Sequence, residues 1–536
     1  MEATKEPKAV FDIMTRLERQ VSEHTESQSV LKRYLTLFYG FALGLGLILA
    51  IIAIIVRPQV VPRVGNSSQP TPSYPAAPGV SSNQAHSDDT PIPPATSAPT
   101  PDQNQPSPLG VTAGELNGLQ ISLWHPWTGK IGAAFQALLD EFNRTNRWGI
   151  TVSGNGFGGF GRLDEAIEAA FQANALEGAG GQLPDVFVDY GYAARHWDRS
   201  RPLVDLAPYV DDPAWGLTSE EQADFFQRFW DEEAVAVGES ATARRLGIPL
   251  YRSAYVIFYN QSWGAELGFS EPPTTPEGFR QQACAAAEDV AKREGKSEPR
   301  RGGYLVESQG GAMAGWIYAF GGEISDSGGQ TYLFNTSETT AALQFLKSLQ
   351  ESGCAWYGKE ISLRDEFARR QALFAVGSLF DIAAQGQAFT QAGNSDRWEV
   401  IPFPSDGQPV IDTYGPSLFM NPSDPARQLA GWLLIKWLSE PQNQARWSKE
   451  LQVYPARLSA LNELRQLSNA RTQWIQAMEL LPEARGEPTL ISWSMVRWVL
   501  ADAMTELFNP QFEAEQIPAM LLNLDSVAAE VLTQVR

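Results

Sequence analysis

The chain has 536 residues, of which 43% are hydrophobic and 19% are charged. Its 62 acidic residues outnumber its 41 basic residues, which gives a formal net charge of -21. Phosphate backbones repel a chain this acidic, so the composition argues against nucleic acid as a partner. The length predicts about three folding units, tails included. The 16 Trp and 26 Phe residues exclude a chain that is disordered throughout.

The chain carries only two cysteines and four histidines. These are too few for a disulfide scaffold, a four-cysteine zinc site or a His-rich metal site, so we expect no metal and no cofactor. Cys284 lies in a predicted helix and Cys354 follows another. Outside the cell the two either pair or stay as buried thiols, and both interpretations remain open.

Residues 34–56 form an apolar segment without a charged side chain. A helix of this length crosses a hydrocarbon core of about 30 Å. Four basic residues between Arg16 and Arg33 precede the segment and two follow it, which places the N-terminus inside. A cleaved signal peptide has a shorter apolar region and a small-residue cleavage site. We therefore predict an uncleaved signal anchor, with residues 1–33 as a cytoplasmic tail.

Residues 57–115 are rich in Pro, Ser, Thr and Ala. Such a stretch buries too little apolar surface to offset its ordering entropy, and its prolines keep it extended. It is predicted to be a disordered linker that holds residues 116–536 away from the membrane.

From residue 116 onward, predicted strands and helices alternate. The strands are 119–123, 149–153 and 185–188, and the helices between them are 133–145 and 162–175. This order predicts an α/β fold with a parallel sheet covered by helices. Ligands of such sheets bind at the carboxyl ends of the strands.

The first strand ends in Trp124-His125-Pro-Trp127. Trp faces stack on the C–H faces of sugar rings and His exchanges hydrogen bonds, so we expect part of this set to line a cleft. Gly154–Gly159 fits G-x-G-x-x-G, but it follows the second strand, and Phe157 and Phe160 would crowd a pyrophosphate. We therefore reject a dinucleotide cofactor.

Aromatic and polar side chains also alternate at later loop edges. The pairs are Asp189-Tyr190, Tyr251-Arg252-Ser253, Trp316-Ile-Tyr318 and the region of Trp493. Flat rings beside carboxylates and guanidinium groups suit neutral polyhydroxylated ligands.

Several different short motifs follow one another along the chain. Leu183-Pro-Asp-Val186 precedes Leu203-Val-Asp-Leu206, Pro273-Thr-Thr-Pro-Glu-Gly-Phe279 precedes Gly321-Gly-Glu-Ile324, and Tyr414-Gly-Pro precedes Ala426 to Pro455. These motifs and their order resemble those of the family 1 extracellular solute-binding proteins, the sugar-binding subunits of ABC importers related to maltose-binding protein.

The resemblance implies a two-lobed type II periplasmic-binding-protein fold, preceded here by the single transmembrane helix and the Pro-rich linker. The first lobe would comprise about 116–252 and 411–456, and the second about 253–410 and 457–536. The chain would cross between the lobes three times, and hinge closure would trap the ligand.

The residue patterns and the resemblance together give one expected ligand-binding set and no catalytic residue. The set is Trp124, His125, Trp127, Asp189, Tyr190, Arg252, Ser253, Gln309, Trp316, Ser378, Phe380, Tyr414 and Trp493.

The implied function is that of a single-pass, membrane-anchored extracellular protein. It would capture a carbohydrate, an oligosaccharide in particular, and deliver it to the permease subunits of an ABC importer without enzymatic turnover. Two alternatives stay open. One is a carbohydrate-sensing ectodomain, and the other is a carbohydrate-active enzyme, although no local motif marks the paired carboxylates that a glycosidase needs.

Overall fold

The structure, a computed structural model, describes residues 107–175, 183–235, 243–296, 301–358, 361–465 and 472–535. The predicted cytoplasmic tail, the signal anchor and the linker up to residue 106 lie outside the described residues. Among the helices that the structure describes, none is both long and apolar enough to cross a membrane.

The described residues contain strands of two to nine residues. In chain order they are β1 (Gln120–His125), β2 (Thr151–Gly156), β3 (Val186–Asp189), β4 (Ala234–Val235), β5 (Arg244–Arg245), β6 (Gly247–Pro249), β7 (Tyr251–Tyr259), β8 (Gly302–Leu305), β9 (Ala355–Trp356), β10 (Ala372–Ser378), β11 (Glu399–Ile401), β12 (Ile411–Tyr414), β13 (Ser417–Met420), β14 (Tyr454–Pro455) and β15 (Ala484–Gly486).

Helices connect and cover these strands. They are α1 (Gly129–Thr145), α2 (Phe160–Ala175), α3 (Gly191–Ser200), α4 (Ala207–Val210), α5 (Ser219–Ala223), α6 (Gln227–Asp231), α7 (Gln261–Glu266), α8 (Pro276–Glu294), α9 (Gly310–Ala319), α10 (Ser337–Glu351), α11 (Leu363–Ala368), α12 (Ile382–Gln391), α13 (Pro425–Leu438), α14 (Pro441–Leu451), α15 (Leu458–Arg465), α16 (Thr472–Glu479), α17 (Trp493–Leu507) and α18 (Ile517–Val535). The α/β class predicted from the sequence is confirmed, as are the first three strands and the two helices between them, with ends shifted by a few residues.

Local chemistry explains where α8 begins and ends. The Thr275 hydroxyl accepts a hydrogen bond from the Gly278 N–H at 3.1 Å, and Pro276 occupies the first turn. Both features favour a helix start. The helix ends at Gly295, whose φ of 66° lies in the left-handed region that glycine adopts at low cost. Its apolar face, with Phe279 and Val290, packs into the core.

Within the described residues, the strands form two main sheets. The first has five strands in the order β2-β1-β3-β13-β6, with β1 parallel to β2 and β3 and with β13 antiparallel to both its neighbours. The second has eight strands, with β15-β12-β7-β10-β8-β9 as its main path and β11 and β14 also pairing with β7. Each sheet has its own hydrophobic core, which makes the domain two-lobed.

Strand β7 is the central element of the second lobe. All nine of its residues are buried, because each face of the strand meets a separate cluster. Ile257 and Tyr259 belong to one cluster, while Val256 and Phe258 belong to the other. This alternation follows from the two-residue period of a strand and explains why β7 lacks polar residues along most of its length.

The chain passes between the two sheets at three places: between β6 and β7, between β12 and β13, and beside β14. Strand β12 pairs antiparallel with β7, with Asp412 opposite Tyr255, so it belongs to the second sheet. The second crossing is therefore at Gly415 and Pro416. The expected change of lobe at residue 411 is misplaced by one strand, because the pairing of β12 with β7 is a long-range contact that the sequence pattern does not report.

The start of the first lobe also differs from the expected limit at residue 116. The Ser107 hydroxyl donates a hydrogen bond to Asp212 at 2.6 Å, and Val111 is buried in the first lobe's core. Glu115 caps the short helix of residues 113–116 by accepting the Thr112 N–H at 2.8 Å. Residues 107–115 are thus part of the folded domain and not of a disordered linker.

Candidate functional site

On the side of the first lobe, tyrosine rings meet at the carboxyl end of β3. Tyr190 follows this strand, and its ring stacks on Tyr192 with centroids 5.2 Å apart and planes 8° apart. Phe160, at the start of α2, lies 4.6 Å from Tyr190. The first residue of α2, which follows the glycine-rich loop, therefore contributes an aromatic ring to this site.

On the side of the second lobe, Tyr414 ends β12, and its ring lies 5.1 Å from that of Tyr255 on β7. Burial raises the pKa of Tyr414 to about 12, although the nearby hydroxyls of Ser253 and Ser378 act against this rise. The structure thus brings three expected site residues, Ser253, Ser378 and Tyr414, to one place. Burial and, to a smaller extent, the neighbouring Tyr192, Tyr251 and Tyr414 raise the pKa of Tyr190, and Tyr190 and Tyr414 line one cavity between the lobes.

Three ionisable side chains of the second lobe, Arg497, Glu487 and Asp412, lie close to the Tyr255 ring. Burial would lower the pKa of the Arg497 guanidinium on α17, but Glu487, Tyr255 and Tyr192 raise it above its usual value. Burial raises the pKa of Glu487, and Arg497 offsets part of this rise. Asp412 is fully buried, and neither of its carboxyl oxygens has a hydrogen-bond partner in the described part of the chain. Burial and the nearby Glu487 hold its pKa well above the usual value.

The two walls enclose a cavity of about 30 Å³, lined by Tyr190, Tyr192 and Glu232 from the first lobe and by Tyr414 and Glu487 from the second. This volume is close to that of one water molecule. Small-molecule pockets are roughly ten times larger or more. Helices α3 and α17 are also in contact across the lobes. The structure therefore has closely apposed lobes at this site, and a solute would enter only after they separate.

A second set of rings runs from the first lobe to the second at the hinge. Trp127 lies 6.3 Å from Tyr251, and Tyr251 lies 6.2 Å from Phe380, with its ring edge-on. Phe380 is 41% exposed, which makes it one of the few large apolar side chains open to solvent among the residues that the structure describes. Trp127 is half-buried against Trp447. Phe380 is thus the most accessible ring at the candidate site.

Several expected ligand-binding residues are packed into cores instead. Trp316 is fully buried in the second lobe, where its Nε1 donates to the Tyr304 hydroxyl at 3.1 Å. Trp493 is fully buried beside Tyr332, with centroids 6.3 Å apart. Both expectations are corrected, because each indole is sealed inside the second lobe and offers no open face to a solute; the Trp493 side chain instead interacts with Glu487 from the core side.

The residues at the end of β1 and β3 differ in the same way. His125 is 3% exposed, and its Nδ1 accepts the Trp127 N–H at 3.3 Å. Asp189 is buried and accepts hydrogen bonds from the Trp197 indole at 3.1 Å and from the Tyr190 N–H at 2.8 Å. His125 and Asp189, both expected to bind ligand, instead make hydrogen bonds inside the first lobe. Trp124 is half-buried, with its ring 4.9 Å from Phe157.

Two further expected residues have other partners. Gln309 is half-buried at the start of α9, where it lowers the pKa that burial raises at Glu307. Arg252 is 2% exposed, and its guanidinium is bonded to Glu232, Glu233 and two backbone carbonyls. Arg252 also lines the cavity between the lobes, but its donors already have partners inside the hinge, so ligand binding by Arg252 stays a prediction.

The sequence interpretation did not include Tyr192, Tyr255, Asp412, Glu487 or Arg497. A signal existed for Arg497, which lies one helical turn after Trp493, so both were candidates for one helix face. Nothing local marked Glu487 or Asp412, because they reach the site only through the pairing of β15 with β12. The two cysteines, Cys284 and Cys354, form a disulfide away from the site, between α8 and the segment that precedes β9.

Comparison with known proteins gives a family and a fold. A family model described as "Bacterial extracellular solute-binding protein" matches residues 137–481. No curated protein sequence is a significant match to this chain.

Solved structures match most of the chain at low identity. The cyclic alpha-maltosyl-1,6-maltose binding protein of Arthrobacter globiformis is 18% identical with a TM-score of 0.63, and the match covers 78% of this chain and 100% of that one. The sugar-binding protein MalE of Xanthomonas citri is 20% identical with a TM-score of 0.63, over 77% and 98% of the two chains. UgpB of Mycobacterium tuberculosis, solved with glycerophosphocholine, is 19% identical with a TM-score of 0.58, over 77% and 98%. At such identities the likeness shows a shared periplasmic-binding-protein-like fold.

Proposed function

The chain belongs to the family of bacterial extracellular solute-binding proteins, and on this basis we propose that it captures a carbohydrate between its two lobes for an ABC importer. The observation that carries the proposal is the tyrosine-lined site at which the two lobes meet. Tyr190 and Tyr192 form one wall and Tyr414 and Tyr255 the other. Ring faces of this kind stack on the C–H faces of sugars.

The polar groups of the site suit hydroxyl groups. Arg497 can only donate hydrogen bonds, whereas ionised Glu487 can only accept them. A sugar hydroxyl donates and accepts at once, so a donor beside an acceptor matches it. One solved relative is named as a binding protein for cyclic alpha-maltosyl-1,6-maltose and another as a sugar-binding protein, and both names support the same solute class.

Binding proceeds by a change in the separation of the lobes. A saccharide stacks on the rings of one lobe, and the second lobe then closes over it. Closure is favoured only by the extra contacts that the closed form gives the solute. The protein needs no catalytic group for this task, and the solute leaves unchanged.

A phosphodiester such as glycerophosphocholine is the second candidate solute, because Arg497 offers a cation at the site and a relative of the same fold binds this compound. Glu487 lies beside Arg497 and offsets part of its positive charge, which weakens the attraction for an anion and favours the neutral solute.

We further propose that residues 34–56 anchor the protein in the cell membrane with its N-terminus in the cytoplasm. The Pro-rich segment after them holds the binding domain outside, within reach of the permease. An oligosaccharide is the expected cargo. The sensor alternative makes the opposite prediction for transport, since deleting the gene would then leave uptake of the sugar unchanged.

The experiment measures binding by the purified full chain with three probes: maltose, maltotriose and glycerophosphocholine. A saccharide that binds the native state raises the melting temperature by mass action. Phe380→Ala removes one exposed ring and should weaken saccharide binding about three- to tenfold, the contribution of one aromatic contact. Leu333→Ala is the matched control, because Leu333 is 39% exposed against 41% for Phe380 and lies outside the site.

Three results would overturn the proposal. One is a shift in melting temperature with glycerophosphocholine and none with either saccharide. Another is equal weakening by Phe380→Ala and by Leu333→Ala, which would place the ring contact elsewhere. The third is hydrolysis of maltotriose during incubation, which would favour the enzyme alternative.

A further inference from the structure

The Arg252 side chain lies where the three connections between the lobes meet. At the first crossing, its Nη1 donates to the Tyr251 carbonyl at 2.9 Å, and at the second it donates to the Pro416 carbonyl at 3.0 Å. At the third crossing, Tyr454 of β14 pairs with the backbone of Arg252 itself. A single buried arginine therefore contacts all three segments whose dihedral angles must change when the lobes move.

Arg252 also binds two consecutive carboxylates of the first lobe. Its Nε lies 3.0 Å from Glu232 Oε2, and its Nη2 lies 3.0 Å from Glu233 Oε1. Glu233 additionally accepts a hydrogen bond from the Ser417 hydroxyl, just after the second crossing. The planar guanidinium presents its donors in a fixed fork, so it holds both carboxylates in one geometry. We call Arg252, Glu232 and Glu233 the hinge triad.

Each carboxylate of the hinge triad packs against a glycine in one wall of the proposed binding site. The Glu233 carboxylate lies 3.4 Å from the position that a Cβ atom of Gly191 would occupy, between Tyr190 and Tyr192. Glu232 Oε1 occupies the space that a Cβ atom of Gly486, directly before Glu487, would need. The two glycines let the carboxylates approach the backbone of both lobes. The hinge triad is therefore in contact with the hinge and with each wall.

Burial decides what such a triad contributes. Arg252 and Glu233 have side chains only 2% and 3% exposed, and Glu232 is 18% exposed. A buried ion pair adds little net stability, since desolvation offsets the attraction, but it penalises every arrangement that separates the partners. The triad joins the first lobe, through both glutamates, to the strand that begins the second lobe. It thus disfavours movement of one lobe away from the other.

We propose that Arg252 is a positioning residue which, through Glu232 and Glu233, sets the equilibrium between apposed and separated lobes. The inference rests on the proposed function only in assuming that the lobes move. It assigns no solute. Weakening the hinge triad shifts the population toward separated lobes.

The test places spin labels on the full chain at Lys130→Cys in the first lobe and Lys292→Cys in the second, whose side chains are 90% and 78% exposed. Label separation is measured without any solute. Glu232→Gln keeps the shape of the side chain and removes its charge. The matched control is Asp198→Asn, because Asp198 forms a two-pronged pair with Arg244 at 2.9 and 3.0 Å, wholly within the first lobe.

We expect Glu232→Gln to shift the label distances to longer separation and Asp198→Asn to leave them unchanged, whatever each does to the melting temperature. Arg252→Lys keeps the charge but loses the fork, so it should give a smaller shift in the same direction. Identical distances in the parent chain, Glu232→Gln and Arg252→Lys would overturn the proposal. An equal shift in Asp198→Asn would overturn it as well, because the effect would then not belong to the hinge. Since no solute is present, a failed carbohydrate assignment does not change this reading.

Discussion

Burial of His125 makes the stability of the domain depend on pH below neutrality. The ring is 3% exposed and lies between Phe135, at 4.8 Å, and Trp127, at 5.5 Å. Desolvation lowers its pKa from 6.5 to about 4, although a backbone hydrogen bond with Trp127 acts against the shift. In the unfolded chain the same imidazole is solvated and titrates at its ordinary value. As the pH falls, His125 therefore binds a proton in the unfolded chain at a higher pH than in the folded chain.

The sign and size of the effect follow from this difference. The contribution of His125 to the free energy of unfolding is intact above the unfolded pKa of 6.5 and is lost progressively as the pH falls toward 4. One pKa unit corresponds to about 1.4 kcal/mol, so the loss between pH 7 and pH 5 is about 2 kcal/mol. The assay is urea unfolding at both pH values, for the parent chain and for His125→Asn.

The difference between the two chains isolates His125 from the other groups that titrate. Asn offers an acceptor oxygen for the Trp127 N–H but has no proton to gain. Its free energy of unfolding should therefore fall by about 2 kcal/mol less than that of the parent between pH 7 and pH 5. If both chains lose the same amount, or if NMR shows the His125 ring titrating near 6.5, the argument from burial is wrong.

Two further predictions concern the second lobe. Trp316→Ala removes a core side chain and should lower the free energy of unfolding by about 4 kcal/mol. Trp498 is 63% exposed, so Trp498→Ala should change this free energy by less than about 0.5 kcal/mol. Chemical denaturation measures both losses, and equal losses would contradict the assigned burial. Replacing both Cys284 and Cys354 by Ser opens a loop of 70 residues. The entropy of closing such a loop predicts that the free energy of unfolding falls by about 4 kcal/mol. A reductant should then lower the melting temperature of the parent chain and not that of the double variant, and an unchanged parent would refute the contribution of the disulfide.

The sequence by itself determined the elements and the order of the fold. The helix predicted over residues 133–145 carries Phe135, Leu138, Leu139 and Phe142 at helical spacing, and these four side chains are buried in α1. Alternation of strands and helices after residue 116 predicted a helix-covered sheet. Both features depend on neighbours within one or two turns, so a local pattern records them. The two lobes were implied by the family resemblance and not by any local pattern.

Only the tertiary structure decided which side chains form the candidate site. Trp316 and Phe380 are both aromatic members of the expected ligand-binding set, yet one is sealed in a core and the other is open to solvent. Arg252 is a residue type that binds ligands, but its donors are taken by Glu232 and Glu233, 20 and 19 residues earlier, and by Pro416, 164 residues later. Burial and pairing depend on which distant segments the sheet order brings together. Periodicity carries no information on that order, which is why the site required the fold.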